Sequence, residues 1–391
     1  MNNQTNVVII GGGAAAVSAA KALRAGDPEL KIDIYTKESI PPHFRPSLTF
    51  GVMSTPPEPR LISKPEFYVS SNIGLHLNMN AIAIDREAKT VTFADDSKVS
   101  YTYLLIATGT HRVIPKIPGV KLPEVISLCD HRDLKALLEL LKVRRNIVVI
   151  GTGVLGLELA SVLLQVKHHV TVVGASGLLK NQLNAAGRAF YEEIIKKVPD
   201  FEVVTGSAVK EICGAGRVEG VNLIDGRHLE CDLVIISAGA TSNVDLAQQC
   251  GLEYDKGIAI DNQMRTSDPA IFAAGDCAEV ACQTFGLWEP ALAQGKVAAS
   301  AILGKPEIFH CKCYGGFLNA FGTKLYSIGF VDGDDSVEMR DDANKNYSQI
   351  FFGGDSVVGG FMIGDTNKMM ALTKAVNEQY TKAQAKEQGL F

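Results

Sequence analysis

The sequence predicts an α/β chain with two parallel-sheet units and a small α+β domain after them. Three observations carry that expectation. An apolar strand running into a glycine-rich turn and an apolar helix occurs twice. It is first Val7-Val8-Ile9-Ile10-Gly11-Gly12-Gly13-Ala14-Ala15-Ala16, and then Ile147-Val148-Val149-Ile150-Gly151-Thr152-Gly153-Val154-Leu155-Gly156. A later apolar strand closing on a glycine also recurs, as Leu104–Gly109 and Leu233–Gly239. From His310 onward the pattern is strand-like and ends in a polar helix.

The elements follow in order. Strand Val7–Ile10 leads to a helix from about Ala14 to Leu23, stopped by Gly26-Asp27-Pro28, and then to strand Ile32–Tyr35. A proline-rich loop, Pro41-Pro42-His43-Phe44-Arg45-Pro46-Ser47-Leu48, comes next. A helical stretch near Lys64–Ser71 precedes strands Ala81–Asp85 and Thr90–Phe93. Pro115, Pro118, Gly119 and Pro123 mark a linker, and an amphipathic helix Asp130–Lys142 introduces the second unit. There, helix Leu155–Leu164, strand Val170–Val173 and a helix at about Ala185–Lys197 precede a hairpin turned by Asp225-Gly226. Ile258–Asp261 leads to Ile271-Phe272-Ala273-Ala274-Gly275-Asp276-Cys277, and a helix runs from about Pro290 to Leu303. Strands Phe317–Phe321, Leu325–Phe330, Ser348–Phe352 and Ser356–Ile363 and a helix at about Lys368–Lys382 finish the chain. The expected domains are 1–115 with 240–309, then 116–239, then 310–391.

The spacing G-x-G-x-x-G/A has a mechanical meaning. The first glycine makes a tight turn, and the second lets backbone approach a pyrophosphate. The third small residue lets the helix pack on the strand, so its positive end faces the phosphates. Two such turns make two Rossmann-like dinucleotide-binding domains, and the natural chemistry between two redox dinucleotides is hydride transfer.

The bulk properties bound the rest. The 391 residues suffice for two or three domains, and 46% hydrophobic with 21% charged residues fits a globular protein. A net charge of −5 gives no sign of a nucleic-acid partner. No run approaches the ~20 apolar residues of a membrane span. The first residues, Met-Asn-Asn-Gln-Thr-Asn, lack the basic start of a signal peptide, so a cytoplasmic protein is expected. Cys129, Cys213, Cys231, Cys250, Cys277, Cys282, Cys311 and Cys313 form no C-x-x-C and read as free thiols. His310-Cys311-Lys312-Cys313 reads as strand and loop rather than a metal site, since zinc wants four ligands.

Taken in order, GGGAAA at 11–16, ATG at 107–109, GTGVLGLELA at 151–160 and TSDPAIFAAGDCAE at 266–279 resemble one family over nearly the whole chain. It is that of the two-dinucleotide-fold flavoprotein reductases, with FAD in the first fold and NAD(P)H in the second. Pro42–Leu48 and the tail from Tyr314 to Gly329 resemble the branch of NADH:rubredoxin oxidoreductases, nitrite reductase flavin domains and ferredoxin reductases.

The resemblance implies roles. Gly11, Gly13 and Ala14–Ala16 would line the FAD pyrophosphate. Ala81 and the turn Ala107-Thr108-Gly109 are further cofactor-binding candidates. At the end of the second strand stand Thr36, Lys37 and Glu38; Glu38 reads equally as a ribose ligand or a surface carboxylate. Arg45 and Pro46 would lie against FAD, and Arg45 is a candidate catalytic residue. Asp276, after Gly275, would bind the ribityl or phosphate region, cap a helix, or do both. Trp288 and Glu289, just before the helix at Pro290 and Ala291, would pack beside the flavin ring, with core packing the alternative for Trp288. That helix would aim its positive end at the flavin edge that turns anionic on reduction. In the second fold Gly151, Gly153, Val154, Leu155, Gly156, Gly174, Ala238 and Gly239 are the cofactor-binding candidates. Glu158, in the first helical turn, is the second catalytic candidate. Phe50 stands where ferredoxin reductases often carry a lysine to pair with that glutamate.

Two absences shape the expected activity. After Val173 comes Gly174-Ala175-Ser176-Gly177, with no acid for a ribose hydroxyl and only Lys180 as a nearby cation. This favours NADH, with NADPH possible. Residues 41–70 contain no cysteine, and Cys277 reads as a packed thiol, so no dithiol relays electrons. The resemblance thus implies hydride transfer from NADH to flavin N5, then electron transfer to a rubredoxin-like or flavorubredoxin partner by a monomer or homodimer. Alternatives are an NAD(P)H oxidase or small-acceptor reductase, and an apoptosis-inducing-factor-like signalling flavoprotein. The short loops argue against the last.

Overall fold

Strand Asn6–Ile10 buries its last four residues on both faces, as a central parallel strand must. Its neighbours are Lys31–Tyr35 on one side and Tyr103–Ile106 on the other, both parallel. Ile73–His76 and Ile271–Ala273 complete five strands at the two edges. A computed structural model describes residues 5–54, 58–305 and 307–391. Helix Ala14–Gly26 covers this sheet together with Trp288–Ile302. The two helices meet closely: a Cβ on Gly295 would overlap the Ala15 carbonyl, and the Ser18 hydroxyl donates to the Leu292 carbonyl at 2.7 Å.

The second sheet repeats the plan. Its order is Phe201–Thr205, His169–Gly174, Asn146–Ile150, Leu233–Ile236, Val125–Ile126, all parallel. In both sheets the strand before the glycine turn lies centrally, with the next strand on one side and a late strand on the other. The turn therefore opens where an open parallel sheet places its ligands.

The chain divides into two units. One is Met1–Ser47, Pro59–His111 and Ala240–Cys311; the other is Leu48–Glu58, Arg112–Gly239 and Lys312–Phe391. The expected division differs from this in two places. Residues 310–391 do not stand apart from 116–239: Leu318, Phe351 and Phe361 share one core with Val149, Leu157 and Tyr191. Residues 48–58 also leave the first unit, because Leu48 and Val52 are buried in that same core.

The C-terminal sheet is antiparallel, ordered Gly316–Ala320, Thr323–Gly329, Ser356–Ile363, Asn346–Gly353, Ser336–Asp341. The edge strand Ser336–Asp341 was not expected. It buries none of its six residues fully, and only Val337 and Met339 alternate towards the core, too short an apolar signal to mark a strand. The single expected helix at 368–382 is two, Met369–Asn377 and Lys382–Glu387. Gln379 with φ +53° breaks the first, and Thr381 with Gln384 forms a capping box that starts the second. No helix among the described residues is long and apolar enough to cross a membrane.

Candidate functional site

The first glycine turn has a geometry that only glycine allows at its head. Gly11 has φ +121°, and a Cβ there would overlap the Ala107 carbonyl, so only glycine fits. Gly13 is different. It is extended, and a Cβ on it would meet nothing within 4 Å. As N-cap of Ala14–Gly26 it offers no side-chain cap, and the first turn carries no acid. The leading N–H groups thus have no side chain to accept them, which suits a phosphate. Ala14, Ala15 and Ala16 are buried beneath. Thr108 and Gly109 are held by Asn243: its Nδ2 donates to the Thr108 carbonyl at 2.8 Å, and its N–H to the Gly109 carbonyl at 2.9 Å.

A charged cluster lies in the same unit. Glu38 is buried; its carboxylate accepts from Arg45 Nη2 and lies 3.5 Å from His43 Nδ1. The surface-carboxylate reading of Glu38 is therefore corrected, because Arg45 and the buried His43 enclose it. Thr36 is buried beside it, and Lys37 and Pro46 are exposed. The Asn78 N–H donates to the Glu38 carbonyl at 2.9 Å, which brings the start of strand Ala81–Asp85 towards this turn. Asp276 caps no helix, contrary to one expectation: strand Ala278–Val280 follows it. Its carboxyl is pushed up by burial and pulled back by the Arg45 charge. Ser242 Oγ donates to the Asp276 carbonyl at 2.6 Å, and Gln294 Oε1 accepts the Gly275 N–H at 2.7 Å. Gln294 Nε2 is buried with no partner, a donor left for a bound group. Ser242, Asn243 and Gln294 were missed, since no local pattern marks them.

The helix expected at Pro290 begins at Trp288, with Leu287 as N-cap. Trp288 and Glu289 are thus its first residues, and the proline sits in a first turn that needs no N–H. Pro290 and Ala291 are buried and Glu289 is exposed. Trp288 packs edge-on against Phe44, ring centroids 4.6 Å apart, which favours the packing alternative. Cys277 is fully buried, and its thiol donates to the Ile106 and Ala274 carbonyls at 3.4 and 3.5 Å. Burial raises its pKa, so it stays a packed thiol.

The second turn reproduces the first. Gly151 has φ +135° and would overlap the Ser237 carbonyl if it carried a Cβ, whereas Gly153 is extended, exposed and open. It is the N-cap of helix Val154–Gln165, again without a side-chain cap or an acid in the first turn. By contrast, helices His131–Leu140, Ala185–Ile195 and Lys382–Glu387 are capped by Asp130, Asn184 and Thr381. Gly156 packs on the Gly151 carbonyl. Leu155, Ala238 and Gly239 are exposed, while Val154 and Gly174 are half-buried. The surroundings are plainer than at the first turn: among the described residues no ion pair of the Glu38–Arg45 kind lies at this turn.

Glu158 lies in the second helical turn, not the first as expected. It accepts a 2.7 Å hydrogen bond from Thr49 Oγ1 within the same unit. Burial raises its pKa above the ordinary 4.5, and the Thr49 bond partly offsets this. A carboxyl whose folded pKa is raised favours folding where it is protonated. That contribution fades as pH rises through the folded pKa. Glu158→Gln should therefore melt higher than the parent at about pH 8, with the gap closing towards the ordinary carboxyl range. A gap that widens on acidification would contradict the assignment.

The comparisons agree with this geometry. Residues 5–295 match the family described as Pyridine nucleotide-disulphide oxidoreductase, and 316–380 match the Rubredoxin NAD+ reductase C-terminal domain. A nitrite reductase [NAD(P)H] of Bacillus subtilis is 31% identical over 95% of the chain, which spans 47% of that protein. The chain thus has about half the length of that relative. A rubredoxin-NAD(+) reductase of Pseudomonas putida is 32% identical over 76% of the chain and 80% of its own length. The solved covalent putidaredoxin reductase–putidaredoxin complex aligns with a TM-score of 0.88 at 26% identity, over 97% of this chain and 94% of that one. The family match takes in both glycine turns and ends inside helix Trp288–Ile302, and on that ground the chain belongs to the pyridine nucleotide-disulphide oxidoreductase family.

Proposed function

We propose that the chain is an FAD-dependent NADH oxidoreductase that passes electrons to a small iron protein of the rubredoxin type without a redox dithiol. One observation carries the reading: two uncapped glycine-turn helices occur in a chain that has no cysteine between residues 41 and 70. The name of the Pseudomonas putida relative and the matched C-terminal domain support the acceptor class.

The residues of the first turn fit FAD. Gly13 and the N–H groups after it would hold the pyrophosphate, while Arg45, Asp276 and Gln294 would hold polar groups of the cofactor. A bound flavin there supplies hydride acceptance and one-electron release. Glu38 keeps Arg45 in place, and Ser242 fixes the Asp276 backbone. Gly153 and the helix behind it would take the second nucleotide. Glu158, with Thr49, offers a carboxyl that can orient an amide group.

The test is a panel of acceptors given to the protein after anaerobic reduction by NADH. Rubredoxin should reoxidise the flavin band fastest. Slow rubredoxin reduction beside fast reduction of a small disulfide or quinone would sink the proposal.

A further inference from the structure

The loop after strand His169–Gly174 carries a cation that the sequence pattern hides. In a Rossmann unit this loop meets the adenosine ribose, where an acid holds a 2′-hydroxyl and an arginine takes a 2′-phosphate. The strand here ends on Gly174, and no Asp or Glu occurs between Glu158 and Glu192. Ala175, Ser176 and Lys180 are exposed.

Arg188 comes back to this loop from helix Ala185–Ile195. Its Nε donates to the Leu178 carbonyl at 2.9 Å and its Nη2 to the Leu183 carbonyl at 3.4 Å. Its Nη1 lies 2.8 Å from where a Cβ on Gly177 would stand. The Gly177 carbonyl in turn accepts from Thr152 Oγ1 at 3.4 Å, and the Thr152 carbonyl accepts the Leu179 N–H at 3.0 Å. The guanidinium is therefore tied through its loop to the second glycine turn itself. Both of its hydrogen-bond partners are neutral carbonyls, and among the described residues no carboxylate pairs with its charge. Lys180 is the only cation between Gly174 and Asn184; Arg188 sits on the next helix, and only the turn between them folds it back onto the loop.

The geometry points to Arg188, with Ser176 and Lys180, as a receptor for the 2′-phosphate of NADPH, so that the second fold takes NADPH as well as NADH. This rests on the reading of the second turn as the nicotinamide-nucleotide site. Arg188 is the specificity determinant: its rigid fork matches a phosphate, and the acid that would repel one is missing.

The probes are adenosine 2′,5′-bisphosphate and 5′-AMP, titrated calorimetrically into the flavin-loaded protein. The bisphosphate should bind about tenfold tighter. Arg188→Ala should erase that preference while moving 5′-AMP affinity by less than about twofold. Because Arg188 also braces the loop, Ser176→Glu is the second variant. It leaves the carbonyl bonds intact, adds a negative charge, and should also reverse the preference. In turnover, kcat/KM for NADPH should lie within about tenfold of that for NADH and fall selectively in both variants. Weaker binding of the bisphosphate than of 5′-AMP by the parent, or an unchanged preference in both variants, overturns the assignment. If neither nucleotide binds, the reading of the second turn falls, and this one falls with it.

Discussion

Gly13→Asp should give a folded protein that purifies without colour. Gly13 has an extended backbone that any residue adopts, and a side chain there meets open space. Aspartate is also a favoured N-cap. Helix Ala14–Gly26, which has no side-chain cap, stands to gain about 0.3 kcal/mol over its glycine N-cap. The new carboxylate, however, takes the N–H groups offered to a phosphate and repels it. The FAD affinity should fall on the order of 100-fold or more. The readouts are the flavin-to-protein absorbance ratio and the melting temperature of the apoprotein. A variant with full flavin content would remove FAD from the first turn. Gly11 is a poorer probe, because any side chain there collides with the Ala107 carbonyl and disturbs the fold itself.

Gly153→Asp should have the opposite signature. The position has the same extended backbone and the same open space at the head of an uncapped helix. The variant should keep its yellow colour and still be bleached by dithionite. Its reduction by NADH should slow by on the order of 100-fold at a fixed low concentration of NADH. Loss of colour in this variant, or undiminished bleaching by NADH, would mean that the two turns have been assigned the wrong way round.

These twin predictions rest on features that were legible in the sequence. Both glycine turns, their strands and their helices announce themselves because each constraint is local. A strand buried on both faces is continuously apolar, and a turn packed against a carbonyl admits only glycine. The late strands Tyr103–Ile106 and Leu233–Ile236 were legible for the same reason. Strand Ser336–Asp341 was not, because at a sheet edge only Val337 and Met339 pack inward and the other four residues are polar. The helix start at Trp288 was missed because Pro290 suggested the first helical position, and a first turn tolerates proline further in.

The site was half legible. Glycines carry their own signal, whereas charges do not say whom they meet. Arg45 lies within the proline-rich loop that follows Glu38, and only folding shows that the two pair with each other. Gln294 bonds the Gly275 N–H and Arg188 the Leu178 carbonyl, each from the helix that follows, and no motif spacing marks either contact. Segment 48–58 reads as part of the first unit, yet Thr49 reaches Glu158 in the second. The absent cysteines in 41–70 were readable at once, because an absence from a segment needs no folding to be seen.

Electrons should pass between the two dinucleotides and onward with no thiol centre between them. An anaerobic titration of the purified yellow protein with NADH, followed at the flavin band, tests this most directly. The expected endpoint is about one NADH per flavin, the capacity of a flavin alone. An endpoint near two NADH per flavin would reveal a second two-electron centre, and a relay without thiols could not stand.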